Sequence, residues 1–217
     1  MSSVHDPHGN QPVLRHGPDV RDARLAIILV HGRGGSAEDL LDLGLALGLD
    51  DILFVAPQAA GQTWYPYSFL TPIDRNEPGL TSGLNRISSL IDALRHEGLT
   101  PDRVGLLGFS QGACLSAEYA ARYARRYAAV IALSGGLIGP PGTPRDYPGS
   151  LDGTPVFLGC SDIDPHIPVE RVHETAEVFS RLGGTVDKRI YSGMGHVVNE
   201  DEMSAVRAIL GASSNVA

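Results

Sequence analysis

The sequence predicts an α/β fold in which a mainly parallel central sheet is flanked by helices on both faces. Three observations support this prediction. Short apolar runs alternate with longer stretches of helical periodicity along the chain. Several of these runs are apolar without interruption, as expected of strands that are buried on both faces. The length of 217 residues, with 42% hydrophobic content, allows one large core but not two full enzyme domains.

The predicted strands and helices follow one another in βα order. Strands are expected at residues 25–30, 52–56, 104–109, 130–133, 156–160 and 185–191. Helices are expected at residues 37–47, 83–96, 111–126, 169–182 and 200–210. We expect a single domain over residues 21–217, preceded by a polar segment over residues 1–20. In such a fold, ligands bind beyond the carboxyl ends of the strands.

Charge and composition narrow the classes of partner. The formal net charge is −8 and the pI is near 5.4, without basic clusters, which argues against nucleic acid or an anionic membrane as a stable partner. The polar start of the chain does not resemble a signal peptide. Cys114 and Cys160 are expected to be small buried hydrophobic residues, and no Cys/His spacing resembles a metal site. We therefore expect a cytoplasmic protein, either a monomer or a homodimer.

A candidate nucleophile lies where one predicted strand gives way to an alanine-rich helix. The sequence there is Gly108-Phe109-Ser110-Gln111-Gly112, which fits the pattern G-x-S-x-G. In this strand-to-helix context the serine occupies a sharp, strained turn, and the two glycines allow strand and helix to cross closely. A helix-capping serine in an ordinary βα loop is the alternative. We predict that Ser110 is a catalytic nucleophile.

A serine nucleophile needs a base, and the base needs a carboxylate that orients it. On this fold the chain order is Ser, then acid, then His. His196 lies in a glycine-rich loop directly after the predicted strand 185–191 and is the candidate base. Asp164 begins the sequence D-P-H-I-P after the preceding strand and is the candidate acid, whereas Asp162 is interpreted as a turn residue. His166 is assigned to the loop or the rim of the site.

The negative oxygen formed during attack on a carbonyl must be met by preorganised N–H groups. The backbone N–H of Gln111, at the start of the helix, is one candidate donor. The backbone N–H of Arg33, in the loop His31-Gly32-Arg33-Gly34-Gly35 after the first core strand, is the other. That loop lacks the lysine and spacing of a phosphate-binding loop, which argues against nucleotide binding.

The motifs HGRGG, GFSQGA, SDIDPHIP and GMGH together resemble the phospholipase/carboxylesterase family of α/β-hydrolases, the small serine esterases similar to acyl-protein thioesterases. The resemblance covers nearly the whole chain. It implies an α/β-hydrolase fold with little or no lid, the triad Ser110, Asp164 and His196, and an oxyanion hole formed by Arg33 and Gln111. Eukaryotic thioesterases have leucine at the position of Arg33, so the HGRGG form is more similar to the bacterial esterase branch.

The resemblance also implies that the loop containing Trp64 and Tyr65 lines the substrate cleft. These two residues are therefore candidate substrate-binding residues, although they could equally anchor a long loop on the body of the protein. The sequence thus predicts a serine carboxylesterase that hydrolyses short-to-medium acyl esters, thioesters or lysophospholipids through an acyl-enzyme, without a cofactor or metal. The alternatives are an enzyme similar to dienelactone hydrolase and a non-catalytic binding protein of the same fold.

Overall fold

Seven strands form the central sheet in residues 6–212, the part of the chain that the computed structural model describes. They are β1 (Val13–His16), β2 (Leu25–Val30), β3 (Ile52–Pro57), β4 (Val104–Phe109), β5 (Val130–Leu133), β6 (Pro155–Ser161) and β7 (Thr185–Tyr191). Their order across the sheet is β1-β3-β2-β4-β5-β6-β7. Strands β2 to β7 are parallel, whereas β1 is antiparallel to β3. The carboxyl ends of the parallel strands therefore meet at one edge.

Five α-helices cover the two faces of the sheet within these described residues. They are α1 (Ala37–Leu45), α2 (Gly79–His96), α3 (Gln111–Arg122), α4 (Val169–Arg181) and α5 (Glu200–Ala212). Helices α2, α3 and α4 pack with Ala26, Ile28 and Val30 of β2 on one face. Helices α1 and α5 pack with the alternate residues of the same strand on the other face. The predicted α/β class, with a mainly parallel sheet and helices on both faces, is confirmed.

Several helix ends differ from the predicted ones because tertiary contacts override the local pattern. Helix α3 ends at Arg122 rather than at residue 126, since Tyr123 leaves the helical conformation. The chain then turns back to β5, and the amide of Tyr127 donates to Thr154 Oγ1 over 2.9 Å. Helix α2 begins at Gly79, where a Cβ would lie 2.7 Å from the carbonyl oxygen of Trp64. A glycine thus permits this earlier start.

Residues 6–16, within the segment 1–20 that the sequence predicts to be polar, contact the body of the protein. Strand β1 extends the sheet at its edge, next to β3. His8 is 2% exposed, and its Nε2 contacts the carbonyl oxygen of Trp64 at 2.9 Å. The four residues of β1 are too few and too polar to give a period that sequence analysis could detect. Residues 1–5 and 213–217 lie outside the described residues.

Two long loops lie near the carboxyl edge of the sheet. Residues 59–79 contain two short 3₁₀ turns, Ala60–Gln62 and Ile73–Asn76. Residues 135–155 lack an α-helix, and they are fixed by amide hydrogen bonds from Leu137 to Thr175 and from Ile138 to the buried Glu118. Within residues 6–212, neither loop forms a helical lid. Among the helices of that range, none has the length and apolar character needed to cross a membrane.

Candidate active site

Ser110 forms the sharp turn between β4 and α3. Its backbone has φ 54° and ψ −118°, a region that L-residues rarely adopt. The turn is tight on both sides: a Cβ on Gly108 would overlap the carbonyl of Gly112, and a Cβ on Gly112 would overlap the carbonyl of Val30. Only glycine fits at both positions. The strained backbone presents the Ser110 side chain at the carboxyl edge of the sheet.

His196 lies beside Ser110, in the loop after β7. Its Nε2 is 2.7 Å from Ser110 Oγ, and its Nδ1 is 2.7 Å from Asp164 Oδ2. The neutral tautomer with hydrogen on Nδ1 satisfies both contacts, because Nδ1 then donates to the carboxylate and Nε2 accepts from the hydroxyl. The ring of Phe109 packs against the imidazole, with the ring centroids 5.0 Å apart. The histidine is thus held between the hydroxyl and the carboxylate.

Asp164 is held as a buried carboxylate in the loop after β6. Its side chain is 0% exposed, and Oδ1 accepts the amides of His166 and Ile167 at 2.8 and 3.0 Å. Burial by itself would raise the pKa of Asp164, but the hydrogen bonds from His196 and from the two amides outweigh it. The pKa therefore lies below its usual value, and the side chain is ionised at neutral pH.

Asp162, the other acid considered at this position, points to a different partner. It is exposed, and it accepts hydrogen bonds from the Gly193 amide at 2.8 Å and from the Ser192 hydroxyl at 3.0 Å. It therefore fastens the loop that carries His196 without contacting the imidazole. His166 lies at the rim, where its ring meets that of His196 edge-on at 4.9 Å.

The two candidate oxyanion donors flank Ser110. Neither the backbone N–H of Arg33 nor that of Gln111 has a hydrogen-bond acceptor within residues 6–212. The loop after β2 runs against the turn at Ser110, since a Cβ on Gly32 would lie 3.3 Å from Ser110 Cβ. The N–H of Gln111 also lies at the first residue of α3, where the helix dipole favours negative charge. Both N–H groups are thus without an acceptor among the described residues.

A cleft of about 510 Å³ opens at this position. This volume falls within the usual range for small-molecule sites, roughly 300–1,000 Å³. Ser110, Gln111 and His196 line it, together with Arg33, Tyr65, Pro66, Tyr67, Ser68, Phe69, Cys114, His166 and Ile167. The cleft therefore combines the polar groups described above with an apolar and aromatic wall.

Trp64 does not form part of this wall, which corrects its prediction as a substrate-binding residue. It is 0% exposed, and its indole N–H donates to the carbonyl of His31 at 2.9 Å. Its ring lies 5.1 Å from the rings of both His8 and His31. Trp64 anchors its loop to the core, and its neighbour Tyr65 reaches the cleft.

His31 is a residue whose role the sequence analysis missed. It is fully buried, and its Nε2 accepts the amide of Ala59 at 3.0 Å while its Nδ1 contacts the Gly32 carbonyl at 2.7 Å. Burial lowers the pKa of His31, which keeps the ring neutral and suited to both contacts. His31 thereby shapes the loop that presents Arg33. The sequence signal that could have indicated this role is the position of His31 directly after a buried strand.

The described residues contain no group of three or more His, Cys, Asp and Glu side chains arranged to hold a metal ion. Burial raises the pKa of Cys114, which lines the cleft, to about 12, so this thiol stays protonated at neutral pH. Of the nucleophilic residue types in the cleft, Ser110 is the one in contact with a base.

Comparison with known proteins agrees with these observations. The chain matches the phospholipase/carboxylesterase family over residues 18–214. The crystal structure of a phospholipase/carboxylesterase from Dyadobacter fermentans has a TM-score of 0.89 and 36% identity, and the match covers 97% of this chain and 99% of that one. Esterase PE8 has a TM-score of 0.75 and 25% identity, with 93% and 97% covered.

A sequence relative from yeast extends this comparison. Acyl-protein thioesterase 1 of Debaryomyces hansenii is 26% identical, and the alignment covers 89% of this chain and 93% of the yeast protein. Acyl-protein thioesterases and carboxylesterases are hydrolases. The family match, the fold and these relatives together show that the chain is a hydrolase of the phospholipase/carboxylesterase family, with the α/β-hydrolase fold.

Proposed function

We propose that this protein is a serine carboxylesterase with Ser110 as nucleophile, His196 as general base and Asp164 as the residue that orients the base. The observation that carries the proposal is the continuous pair of 2.7 Å hydrogen bonds from Ser110 through His196 to Asp164. This chain of contacts opens into a cleft large enough for a small ester. It has the geometry that nucleophilic catalysis by serine requires.

The proposed reaction proceeds through an acyl-enzyme. Ser110 Oγ attacks the carbonyl carbon of the ester while His196 Nε2 takes the hydroxyl proton. The N–H groups of Arg33 and Gln111 bind the oxyanion, and each such donor is worth roughly 3–4 kcal/mol in the transition state. His196 then gives its proton to the departing alcohol. In the second half of the reaction, His196 takes a proton from water as the water attacks the acyl carbon. It then returns the proton to Ser110 Oγ as the acid is released.

We propose short-to-medium acyl esters as substrates, with thioesters and lysophospholipids as further members of the same class. The names of the relatives support an ester or thioester bond as the target. The open cleft beside Tyr65, Tyr67 and Phe69 supports a limited acyl pocket. The steps above are supplied by side chains and backbone amides, so the proposal includes no cofactor.

The experiment that tests this function is hydrolysis of p-nitrophenyl butyrate and of a butyryl thioester by the parent protein and by Ser110→Ala. We expect hydrolysis by the parent and a loss of about 10⁴-fold or more in kcat for the variant, because the nucleophile is removed. Hydrolysis that is unaffected by Ser110→Ala would contradict the proposal. No hydrolysis of any ester or lactone by the parent would instead favour a non-catalytic binding protein, and turnover of a cyclic ester alone would favour a lactone hydrolase.

A further inference from the structure

The side chain of Arg33 lies against the backbone of the loop that forms one wall of the cleft. Its guanidinium donates to three successive carbonyls: those of Tyr65 and Tyr67 from Nη2, at 2.9 and 2.7 Å, and that of Pro66 from Nη1, at 2.9 Å. The planar fork of arginine can serve several acceptors at once, which the single ammonium of lysine cannot do with the same geometry. Arg33 thus fixes the course of residues 65–67.

The side chain of Gln111 contacts the same loop. Its Nε2 donates to the carbonyl of Tyr65 at 2.8 Å, and its Oε1 accepts the amide of Trp64 at 2.9 Å. The hydroxyl of Thr63 also lies within hydrogen-bond distance of this Oε1, at 3.2 Å. The Gln111 side chain is buried among these groups, with the residue only 6% exposed.

The carbonyl oxygen of Tyr65 is therefore an acceptor shared by the side chains of Arg33 and Gln111, and the Thr63 hydroxyl also lies 3.0 Å from it. We propose that this Arg33–Tyr65–Gln111 bridge sets the separation of the two backbone N–H groups that form the oxyanion hole, which makes both side chains positioning residues. The inference rests on the proposed function, because it concerns the geometry of the hole that serves Ser110. It assigns to the two side chains a role that is separate from that of their amides.

The physical reason lies in how the loop after β2 is held. Backbone hydrogen bonds fix its local turn, because the Gly35 amide donates to the Gly32 carbonyl at 3.1 Å and the Gly34 amide donates to the Gln62 carbonyl at 2.8 Å. The N–H of Gln111 is fixed by the helix that begins there. The connection from Gln111 through the Tyr65 carbonyl to the Arg33 side chain sets the position of this turn relative to the start of α3.

The bridge can be tested without removing either donor, since every residue except proline keeps its backbone N–H. The variant Arg33→Leu removes all three side-chain hydrogen bonds, and Arg33→Lys keeps the charge but not the fork. The matched control is Arg75→Leu. Arg75 is also an exposed arginine at this loop, with its guanidinium 5.1 Å from the centroid of the Tyr67 ring, but no hydrogen bond joins it to the carbonyls of residues 65–67.

Three quantities are to be measured for each variant: kcat and KM for p-nitrophenyl butyrate, and the inhibition constant of an alkyl trifluoromethyl ketone. This ketone forms a hemiketal with the serine and places an oxyanion in the hole. For Arg33→Leu we expect kcat to fall by about 10- to 100-fold, less than the loss of a whole donor, with KM within about threefold. We expect the inhibition constant to rise in parallel with the loss in kcat/KM, and Arg33→Lys to be intermediate.

Coupling between the two side chains provides an independent measurement. If both act through the Tyr65 carbonyl, Arg33→Leu combined with Gln111→Met lowers kcat by less than the product of the two single effects. Arg33 is exposed, so the first variant is expected to fold, which the melting temperature checks.

Several results would overturn the bridge. These are a kcat of Arg33→Leu within about twofold of the parent, a loss confined to KM, or an equal loss in Arg75→Leu. In each case Ser110→Ala would still abolish hydrolysis if the proposed function holds. Hydrolysis that survives Ser110→Ala would overturn the function itself, so the two failures are distinguishable.

Discussion

At the scale of single residues, two aspartates in one loop take different tasks. Asp164 is buried and contacts the imidazole of His196, whereas Asp162 is exposed and fastens Ser192 and Gly193. The chain order and the flanking prolines favoured Asp164 from the sequence, and the contacts agree with that choice. The catalytic role itself stays a prediction.

Exchange of each aspartate for asparagine separates these tasks. We expect Asp164→Asn to lower kcat by about 10²- to 10⁴-fold, because an amide in place of the carboxylate favours the wrong histidine tautomer. Asp162→Asn is the matched control and should change kcat much less, since an asparagine oxygen can still accept one of its two hydrogen bonds. Steady-state kinetics of the correctly folded variants measure the two values of kcat. A greater loss in Asp162→Asn would show that the acid is assigned to the wrong residue.

Trp64 and Tyr67 form a second contrast at this scale. We expect Trp64→Ala to lower the free energy of unfolding by about 3–5 kcal/mol, because it leaves a cavity in the core and an unpaired carbonyl at His31. Tyr67 is 48% exposed and lines the cleft, so Tyr67→Ala should change KM and acyl preference with little loss of stability. Denaturant unfolding and ester kinetics measure the two effects. Equal stability losses would argue against the core position of Trp64.

The sequence could not distinguish these positions for a physical reason. Trp64 and Tyr67 belong to one loop, and which ring faces the core depends on the packing of His8, more than fifty residues away. No local period reports such a contact.

At the scale of elements, the start of α5 couples the loop of His196 to the core. Asn199 and Glu202 exchange hydrogen bonds as a capping box, each backbone amide donating to the other side chain at 2.9 Å. Asn199 Nδ2 also lies 2.9 Å from Met194 Sδ, in the loop that carries His196. The sequence located the helix, but it gave no sign that Glu202 would face Gly159 in β6.

Burial raises the pKa of Glu202 from 4.5 to about 7. Its Oε1 has no hydrogen-bond partner within residues 6–212. The folded protein therefore binds more protons than the unfolded chain between these two pH values, and the free energy of unfolding falls as the pH rises through this window. At pH 8 Glu202 is ionised in the folded protein and destabilises it. At pH 5 the buried side chain is protonated, and the destabilisation is much smaller.

The variant Glu202→Gln tests this linkage. We expect the free energy of unfolding of the variant, minus that of the parent, to increase by roughly 2–3 kcal/mol from pH 5 to pH 8, because glutamine cannot ionise. Glu200→Gln, an exposed position in the same helical turn, is the control and should show no such trend. Denaturant unfolding at both pH values provides the comparison. A difference between Glu202→Gln and the parent that does not vary with pH would contradict the buried carboxyl.

At the scale of the whole molecule, the parallel sheet brings distant parts of the chain together. Arg33, Ser110, Asp164 and His196 each follow the carboxyl end of a different parallel strand. Parallel pairing makes those ends neighbours, so the order of strands in the sequence was enough to predict that these residues meet. Strand β1 and the buried His8 were not predictable in this way, because antiparallel edge pairing and the burial of a single side chain depend on contacts rather than on a repeated pattern.

The absence of a helical lid over residues 6–212 predicts a preference for short-to-medium acyl chains. An open cleft removes only part of a long chain from water, so each added methylene should contribute well below the ~0.8 kcal/mol of full burial once the pocket is filled. A p-nitrophenyl ester series from acetate to palmitate, read as kcat/KM, should pass through a maximum. A steady rise to palmitate, or activation at the solubility limit of the substrate, would indicate a lipase-like enzyme instead.

The central claim is that Ser110 is an activated nucleophile, and covalent labelling tests it most directly. A fluorophosphonate reacts only where a serine is activated and an oxyanion hole binds the phosphonyl oxygen. Intact-protein and peptide mass spectrometry should find one phosphonyl group per chain, attached to Ser110, and none in folded Ser110→Ala. A label on another serine, or undiminished labelling of the variant, would contradict the account.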